Sequence, residues 1–300
     1  MKIDKQNGNV AFSDESHTYW NVSNNEEYIS VTTLIHRYTQ PFDKEFWSAY
    51  KSLEKLLPKD SWNIEKKSLL NSKKFDKSIL EEYNISELDF NKTQQGIIDD
   101  WDEENRKSCE RGTKIHADIE QSFYDNPKDI SLQKFGLGGK FECRKDYSEL
   151  DLEYGVYPEY LISRESPDNV LRLAGQVDLI VKSGNEIIIC DWKTNKEIKQ
   201  KSFYNSKTKS SSKMKFPLNH LDDVNFNHYT LQLSTYAWML QKVNPDFVIK
   251  DLILVHFDHN DKQTIYHCPY LKEDVEKMLL HYKKDIILEK KRNNRKRIEY

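Results

Sequence analysis

The segment from Leu171 to Thr194 constrains the fold more than any other part of the chain. Two runs rich in Val, Ile and Leu, 171–181 and 186–192, flank Gly184-Asn185, a pair suited to a two-residue hairpin turn because it tolerates positive φ. With those two residues as the loop, facing positions carry numbers that sum to 369, so Asp178 lies opposite Asp191 and Gln176 opposite Lys193. Directly opposed side chains have Cβ atoms about 5 Å apart, where like charges repel. Two carboxylates on otherwise apolar strands therefore need a compensating charge, and hard oxygen ligands of this kind suit magnesium or manganese. Lys193 follows Asp191 by two and shares its face of the strand. An ammonium beside a metal site can orient a water and stabilise charge that develops on phosphorus. An isolated Asp-x-Lys reads as an exposed ion pair, but Ile187-Ile188-Ile189 sets this one at the end of a buried strand. The hairpin predicts metal-dependent phosphodiester hydrolysis.

Elements on either side predict a mixed α/β chain. Strand-like pattern covers Val10 and Phe12, 17–22 and 28–31, with Asn24-Asn25 as a turn signal and Ser30 as the cap of a helix through Thr33, Leu34 and Ile35. From 42 to 104 the text changes to Lys, Glu, Leu and Trp at helical spacing, broken at Pro58 and near Asn84, which predicts a helical cap or insert without linker-like boundaries. A long helix is predicted from about 93 to 123, then strands over 156–163, 171–181 and 186–192. Residues 196–227 are rich in Lys, Ser and Asn and predict a mobile basic loop. A helix over 229–241, a strand over 248–257 and a final helix from Lys272 complete the chain. The reading is one domain: N-terminal strands and helix (1–40), helical insert (41–105), catalytic core (106–260), and C-terminal helix with a basic tail (261–300).

Further polar residues sit where apolar ones are expected. His116 and Glu120 are four apart on the long helix, hence on one face, and imidazole can complete a metal shell. Glu159 interrupts an apolar strand, which is costly unless the acid is paired or bound to metal. Gln232 and Tyr236 share a helical face and can contact a phosphate or orient Lys193.

In this order these pieces resemble the PD-(D/E)XK nuclease superfamily, most closely its RecB-type branch and related bacteriophage exonucleases. The matching elements are Gly112-Thr-x-x-His116-x-x-x-Glu120, Glu159, Gly175-x-x-Asp178, Asp191-Trp-Lys193-Thr194 and Gln232-Leu-x-x-Tyr236. Residues 13–19, 30–35 and 217–221 also look like phage members. The resemblance implies a restriction-endonuclease-like mixed sheet flanked by helices. It implies Asp178 and Asp191 as metal ligands with His116 as a further ligand, Lys193 as the catalytic lysine, and Glu120 and Glu159 as supporting acids. Gln232, Tyr236, Thr194 and Thr113 carry over as residues facing nucleic acid. The implied cofactor is Mg2+ or Mn2+ and the implied partner is DNA with single- or double-stranded ends, with a recombination or single-strand-binding protein as a further partner. Some RecB-type nucleases hold an iron–sulfur cluster through a C-terminal cysteine group; here no cysteine follows Cys268, which predicts no cluster. The activity expected is exonucleolytic, in phage replication, recombination or repair. A structure-specific or single-strand endonuclease and a non-catalytic DNA-end-binding module are the alternatives.

Composition narrows the setting. No apolar run approaches the roughly 20 residues of a membrane span. Cys109, Cys143, Cys190 and Cys268 are scattered without metal-site spacing, and the first residues lack a secretory apolar core, so a cytoplasmic protein is expected. The net charge of −3, from 46 Lys and Arg against 49 Asp and Glu, averages two unlike regions. Residues 193–215 carry eight lysines against Glu197 alone, and Lys290 to Arg297 is similarly basic, while acids gather near Asp99 to Glu104 and 149–153. The first basic run leaves directly from Lys193.

Overall fold

The apolar runs of the hairpin become the centre of a mixed sheet. A computed structural model describes residues 2–144, 152–205 and 210–298. At the N-terminus β1 (Lys5–Asn7), β2 (Val10–Ser13), β3 (Thr18–Asn21) and β4 (Glu27–Ser30) form an antiparallel meander. Ser30 then caps α1 (Val31–His36), its hydroxyl accepting the Thr33 N–H at 3.0 Å. Next come α2 (Lys44–Leu56), α3 (Lys59–Ser72), α4 (Ser78–Glu82), α5 (Glu87–Asp125) and the short pair β5 (Ile130–Ser131) and β6 (Lys140–Phe141). The long strands β7 (Gly155–Glu165), β8 (Arg172–Ser183) and β9 (Glu186–Lys193) follow. After the short pair β10 (Tyr204–Asn205) and β11 (Ser210–Ser211) the chain ends with α6 (Asn225–Val243), β12 (Val248–Phe257), β13 (Gln263–His267) and α7 (Lys272–Ile298).

Two compact units divide the chain: Met1–Gln40 with Lys114–Tyr300, and Pro41–Thr113. The second takes in the stretch 41–105 read as a helical insert and runs on to Thr113. Asp43 caps α2 through the Phe46 N–H, and Pro58 opens α3 at the predicted break. Phe46, Tyr50, Leu53, Trp62, Leu69 and Phe90 form its core. The helix predicted from 93 begins earlier, at Glu87, where the Ser86 hydroxyl accepts the Asp89 N–H.

In the first unit nine strands join one sheet in the order β1-β2-β3-β4-β8-β9-β12-β13, with β7 also against β8. Pairings of β4 with β8 and of β9 with β12 are parallel, and the others are antiparallel. One face packs on α1, α6 and α7 through Leu34, Leu231, Tyr236 and Met278 against Ile187, Ile189 and Leu254. The other face packs Trp192 and Val255 against Phe123 of α5 and Phe135, whose ring lies 4.6 Å from Trp192. No helix among the described residues is long and apolar enough to cross a membrane.

The hairpin register follows the predicted sum from Ser183↔Glu186 to Leu179↔Cys190 and stops there, one step short of Asp178 and Asp191. On the same edge of β8 the pairing with β4 ends at Ser30↔Ala174. Residues 175–178 therefore lie where β8 is handed from one neighbour to the next. A Cβ on Gly175 would stand 2.6 Å from Tyr236 Cε1, so this glycine is required by space, not by its φ.

In the segment 196–227, expected as a mobile loop, described residues make several polar and apolar contacts. Asp222 accepts from the Ser202 N–H and from Lys213 Nζ, Asn225 accepts the Lys199 N–H, and Met214 and Leu218 are buried. Lys207 and Lys209 of the basic run, and residues 149–151 of the acidic stretch, lie outside the described residues.

Gly175→Ala is expected to destabilise the fold by about 1–3 kcal/mol in urea denaturation, the usual cost of overpacking. Combining it with Tyr236→Ala should recover part of the loss, and additivity of the two changes would show that the contact does not limit packing.

Candidate active site

β7 and β8 pair from Gly155↔Lys182 to Glu165↔Arg172, yet the register passes from Pro158↔Leu179 to Tyr160↔Val177 without joining Glu159 to Asp178. Glu159 holds φ at 50°, a left-handed value uncommon for a residue with a Cβ. Side-chain alternation slips there on both strands. Tyr157 and Tyr160, three apart, enter the same core cluster, and so do Val177 and Ile180. Asp178 thus stands where two ladders open, one toward Glu159 and one toward Asp191. Its Oδ2 accepts the Trp192 N–H at 2.6 Å, taking a donor that a continuous β8–β9 ladder would use.

His116, one turn before Glu120 on α5, closes this opening. Its Nε2 lies 3.1 Å from the Trp192 carbonyl oxygen, which can only accept, so in the neutral ring Nε2 carries the hydrogen and Nδ1 offers its lone pair. Nδ1 lies 3.6 Å from Asp178 Oδ2 and 3.8 Å from Glu159 Oε1. One ligand atom from each of His116, Glu159 and Asp178 falls within 4.8 Å of the others. Ligands of a single divalent ion at roughly 2.0–2.5 Å stand no more than about 4–5 Å apart, so the donor set fits such an ion. Burial opposes a charged His116, but the Asp178 and Glu159 carboxylates outweigh it and raise the ring to about 9. Burial likewise pushes the Asp178 carboxyl up, with His116 pulling against it.

Asp191, expected as a ligand beside Asp178, has two further partners at its carboxylate. Lys193 Nζ lies 2.5 Å from Asp191 Oδ2, and Gln232 Nε2 donates to Oδ1 at 3.0 Å. Asp191 is only 1% exposed, and burial pushes its carboxyl up to about 6 against the pull of Lys193. Burial works against charge on Lys193 too, but Asp191 and Asp178 prevail and hold its pKa above the usual lysine value.

Gln232 and Tyr236 sit on α6 as expected from their spacing; both are buried, Gln232 turned to Asp191 and Tyr236 to Gly175. Glu120 is near Glu159 through Lys5, whose Nζ is 3.6 Å from each. Gln176, predicted opposite Lys193, donates instead to Glu159. Thr194 is half-buried next to Lys193, and Thr113 is exposed on α5 in the helical unit.

Sequence reasoning missed Lys5, Tyr229 and Asn195. Lys193 Nζ lies 4.9 Å from the centre of the Tyr229 ring, and the Tyr229 hydroxyl donates to Asn195 Oδ1 at 2.6 Å. Tyr229 precedes Gln232 by three, so helical spacing alone put it on the right face. Lys5 lies 111 residues from His116, and no local pattern links them.

Gln232→Met removes the donor to Asp191 at nearly constant length. A loss of about 1.5–3 kcal/mol is expected in urea denaturation, the range for a hydrogen bond to a charged group. A change below about 0.5 kcal/mol would mean that the bond does not hold Asp191.

A family model described as the PD-(D/E)XK nuclease superfamily matches residues 128–295. Among solved structures, one titled "Crystal structure of SSO0001" aligns at 19% identity with a TM-score of 0.26, over 44% of this chain and 50% of that chain. This chain thus spans half the length of that one. No curated protein matches it. The family match takes in Glu159, Asp178, Asp191, Lys193, Gln232 and Tyr236, and covers 168 of the 300 residues. The chain belongs to the PD-(D/E)XK nuclease superfamily, whose nucleases use divalent metals.

Proposed function

We propose that this protein is a Mg- or Mn-dependent deoxyribonuclease of the RecB-type branch, an exonuclease that degrades DNA from its ends during phage replication, recombination or repair. The observation that carries the reading is the buried Asp191–Lys193 pair set beside the His116, Glu159 and Asp178 cluster. A strand end that gathers three carboxylates, an imidazole and an ammonium has the groups phosphodiester hydrolysis needs. Four cysteines, each free, are consistent with work in a reducing cytoplasm.

His116 through Nδ1, Glu159 and Asp178 would hold the cation. Bound there, a divalent ion supplies Lewis-acid charge to the scissile phosphate. Lys193 keeps its proton because Asp191 faces it, and in this form it orients the attacking water and donates to the phosphate oxygens. Asp191 is held in turn by Gln232, and the Tyr229 ring lies against the other side of the ammonium. His116 is fixed by its bond to the Trp192 carbonyl, so a ligand and the strand that carries Lys193 stay in register. The added helical stretch Pro41–Thr113 supports the exonuclease reading, because enzymes that work from DNA ends commonly carry elements beyond the catalytic core.

End-labelled linear DNA and closed circular DNA with Mn test the activity. Loss of the linear substrate alone is expected; nicking of the circle would replace the exonuclease with an endonuclease, and binding without cleavage would leave a non-catalytic module. Lys193→Ala and Asp191→Ala are each expected to lower kcat by about 10²–10³-fold or more while melting cooperatively. Wild-type cleavage in both would overturn the assignment.

Metal binding has its own readout. Mn should raise the melting temperature of the wild type, and His116→Ala and Glu159→Gln should each weaken Mn affinity by about 10–100-fold. Unchanged affinity in both would remove these residues from the ligand set.

A further inference from the structure

One charged side chain enters the site from a strand that the family match does not reach. β1 pairs with β2, and the Asn7 amide donates to the Leu161 carbonyl of β7 at 2.7 Å, which fastens the N-terminal strand across β7 two residues from Glu159. There Lys5 Nζ lies 3.6 Å from Glu120 Oε1 and 3.6 Å from Glu159 Oε2. The two oxygens of Glu159 are divided between tasks. Oε2 faces Lys5 and accepts from Gln176, while Oε1 faces His116. Glu120 Oε1 also accepts from the Tyr124 hydroxyl at 3.0 Å.

Two carboxylates on either side of a cation, next to a first ion site, form the arrangement in which two-metal nucleases hold their second ion about 3.5–4 Å from the first. Charge decides which cation belongs here. The linked groups comprise four carboxylates, Glu120, Glu159, Asp178 and Asp191, and two ammonium groups, Lys5 and Lys193. With His116 neutral as a ligand, one divalent ion brings this set to zero net charge. A second would leave it at plus two beside buried Asp178 and Asp191, where uncompensated charge is costly.

We propose that the Lys5 ammonium takes the place of a second divalent cation between Glu120 and Glu159 and restricts the site to a single ion. The inference rests on the metal-dependent reading above. Lys5 is a positioning residue in this scheme: it draws Glu159 Oε2 away from the ion and leaves Oε1 to bind it. The catalytic site is thereby completed from the first strand of the chain.

The test counts Mn(II) bound per chain at saturation, by the electron paramagnetic resonance signal of free Mn in titrations of the full-length protein stripped of metal. Wild type and Lys5→Arg should bind one ion. Lys5→Met, which keeps much of the apolar stem, should bind two, with the second spin-coupled to the first. Adding Glu120→Gln to Lys5→Met should return the count to one. Cooperative melting in EDTA establishes that each variant is folded, and Lys5→Ala serves if Lys5→Met is not. Two ions in the wild type, or one in a folded Lys5→Met, overturns the proposal and leaves the metal-dependent reading intact. No ion in the wild type overturns that reading and this inference with it.

Discussion

Asp178 accepts a hydrogen bond from the Trp192 N–H, and the rest of the site depends on that exchange. A backbone donor at that point of an antiparallel pair would ordinarily bond a facing carbonyl. Given to a carboxylate instead, it lets β8 and β9 part at the level of two acids that would otherwise stand about 5 Å apart. The strand is free to do this because β8 has already left β4 after Ala174 and has not yet met β9 before Leu179. The opening admits the Tyr236 ring at Gly175 and brings Gln232 to Asp191, so α6 fills space that a continuous ladder would close. A candidate site at a point where a strand changes neighbours resembles the topological switch points at which open α/β sheets gather ligands.

Much of this framework was legible in the sequence because it rests on local rules. Gly184-Asn185 fixed the register of the hairpin, Ser30 capped its helix, and the strand over 248–257 and the helix from Lys272 have the bounds that their periodicity predicts. The limits of the register were not legible. Alternation in the text continues through Glu159 and Asp178, and nothing in composition marks the slip that turns both acids toward His116. A rule of facing pairs put Asp191 with Asp178 because it assumes an unbroken ladder. In the structure Asp191 faces Lys193, and Glu159 comes in from the other side of β8.

The basic run after Lys193 shows a second limit of reading from sequence. Counting eight lysines against one acid treats every charge as available to a ligand. In the fold Lys213 lies 2.6 Å from Asp222, Lys199 lies 3.0 Å from Glu197, and the backbone of the segment is pinned by Asp222 and Asn225. Asp222, nine residues beyond Lys213, lies outside the window in which the charge was counted. The helix residues Gln232 and Tyr236 carry a related lesson: their spacing identified a shared face, but not whether that face meets solvent or the sheet.

The Asp191–Lys193 pair bears on function through its energetics. Desolvating two charges costs several kcal/mol each, and a buried ion pair often contributes no more stability than apolar residues of similar volume. Ile187 and Ile189, on the same face of β9, show that the strand accepts such residues directly upstream. The pair nevertheless stands at the strand end, backed by Gln232, the Tyr229 ring and the Asn195 bond behind it, none of which an apolar pair would need. Supporting polar contacts of this number around groups that do not repay their burial are expected where geometry serves chemistry rather than stability. The ammonium is held at a fixed point beside a cluster able to bind a cation, the placement that the proposed stabilisation of charge developing on a phosphate needs.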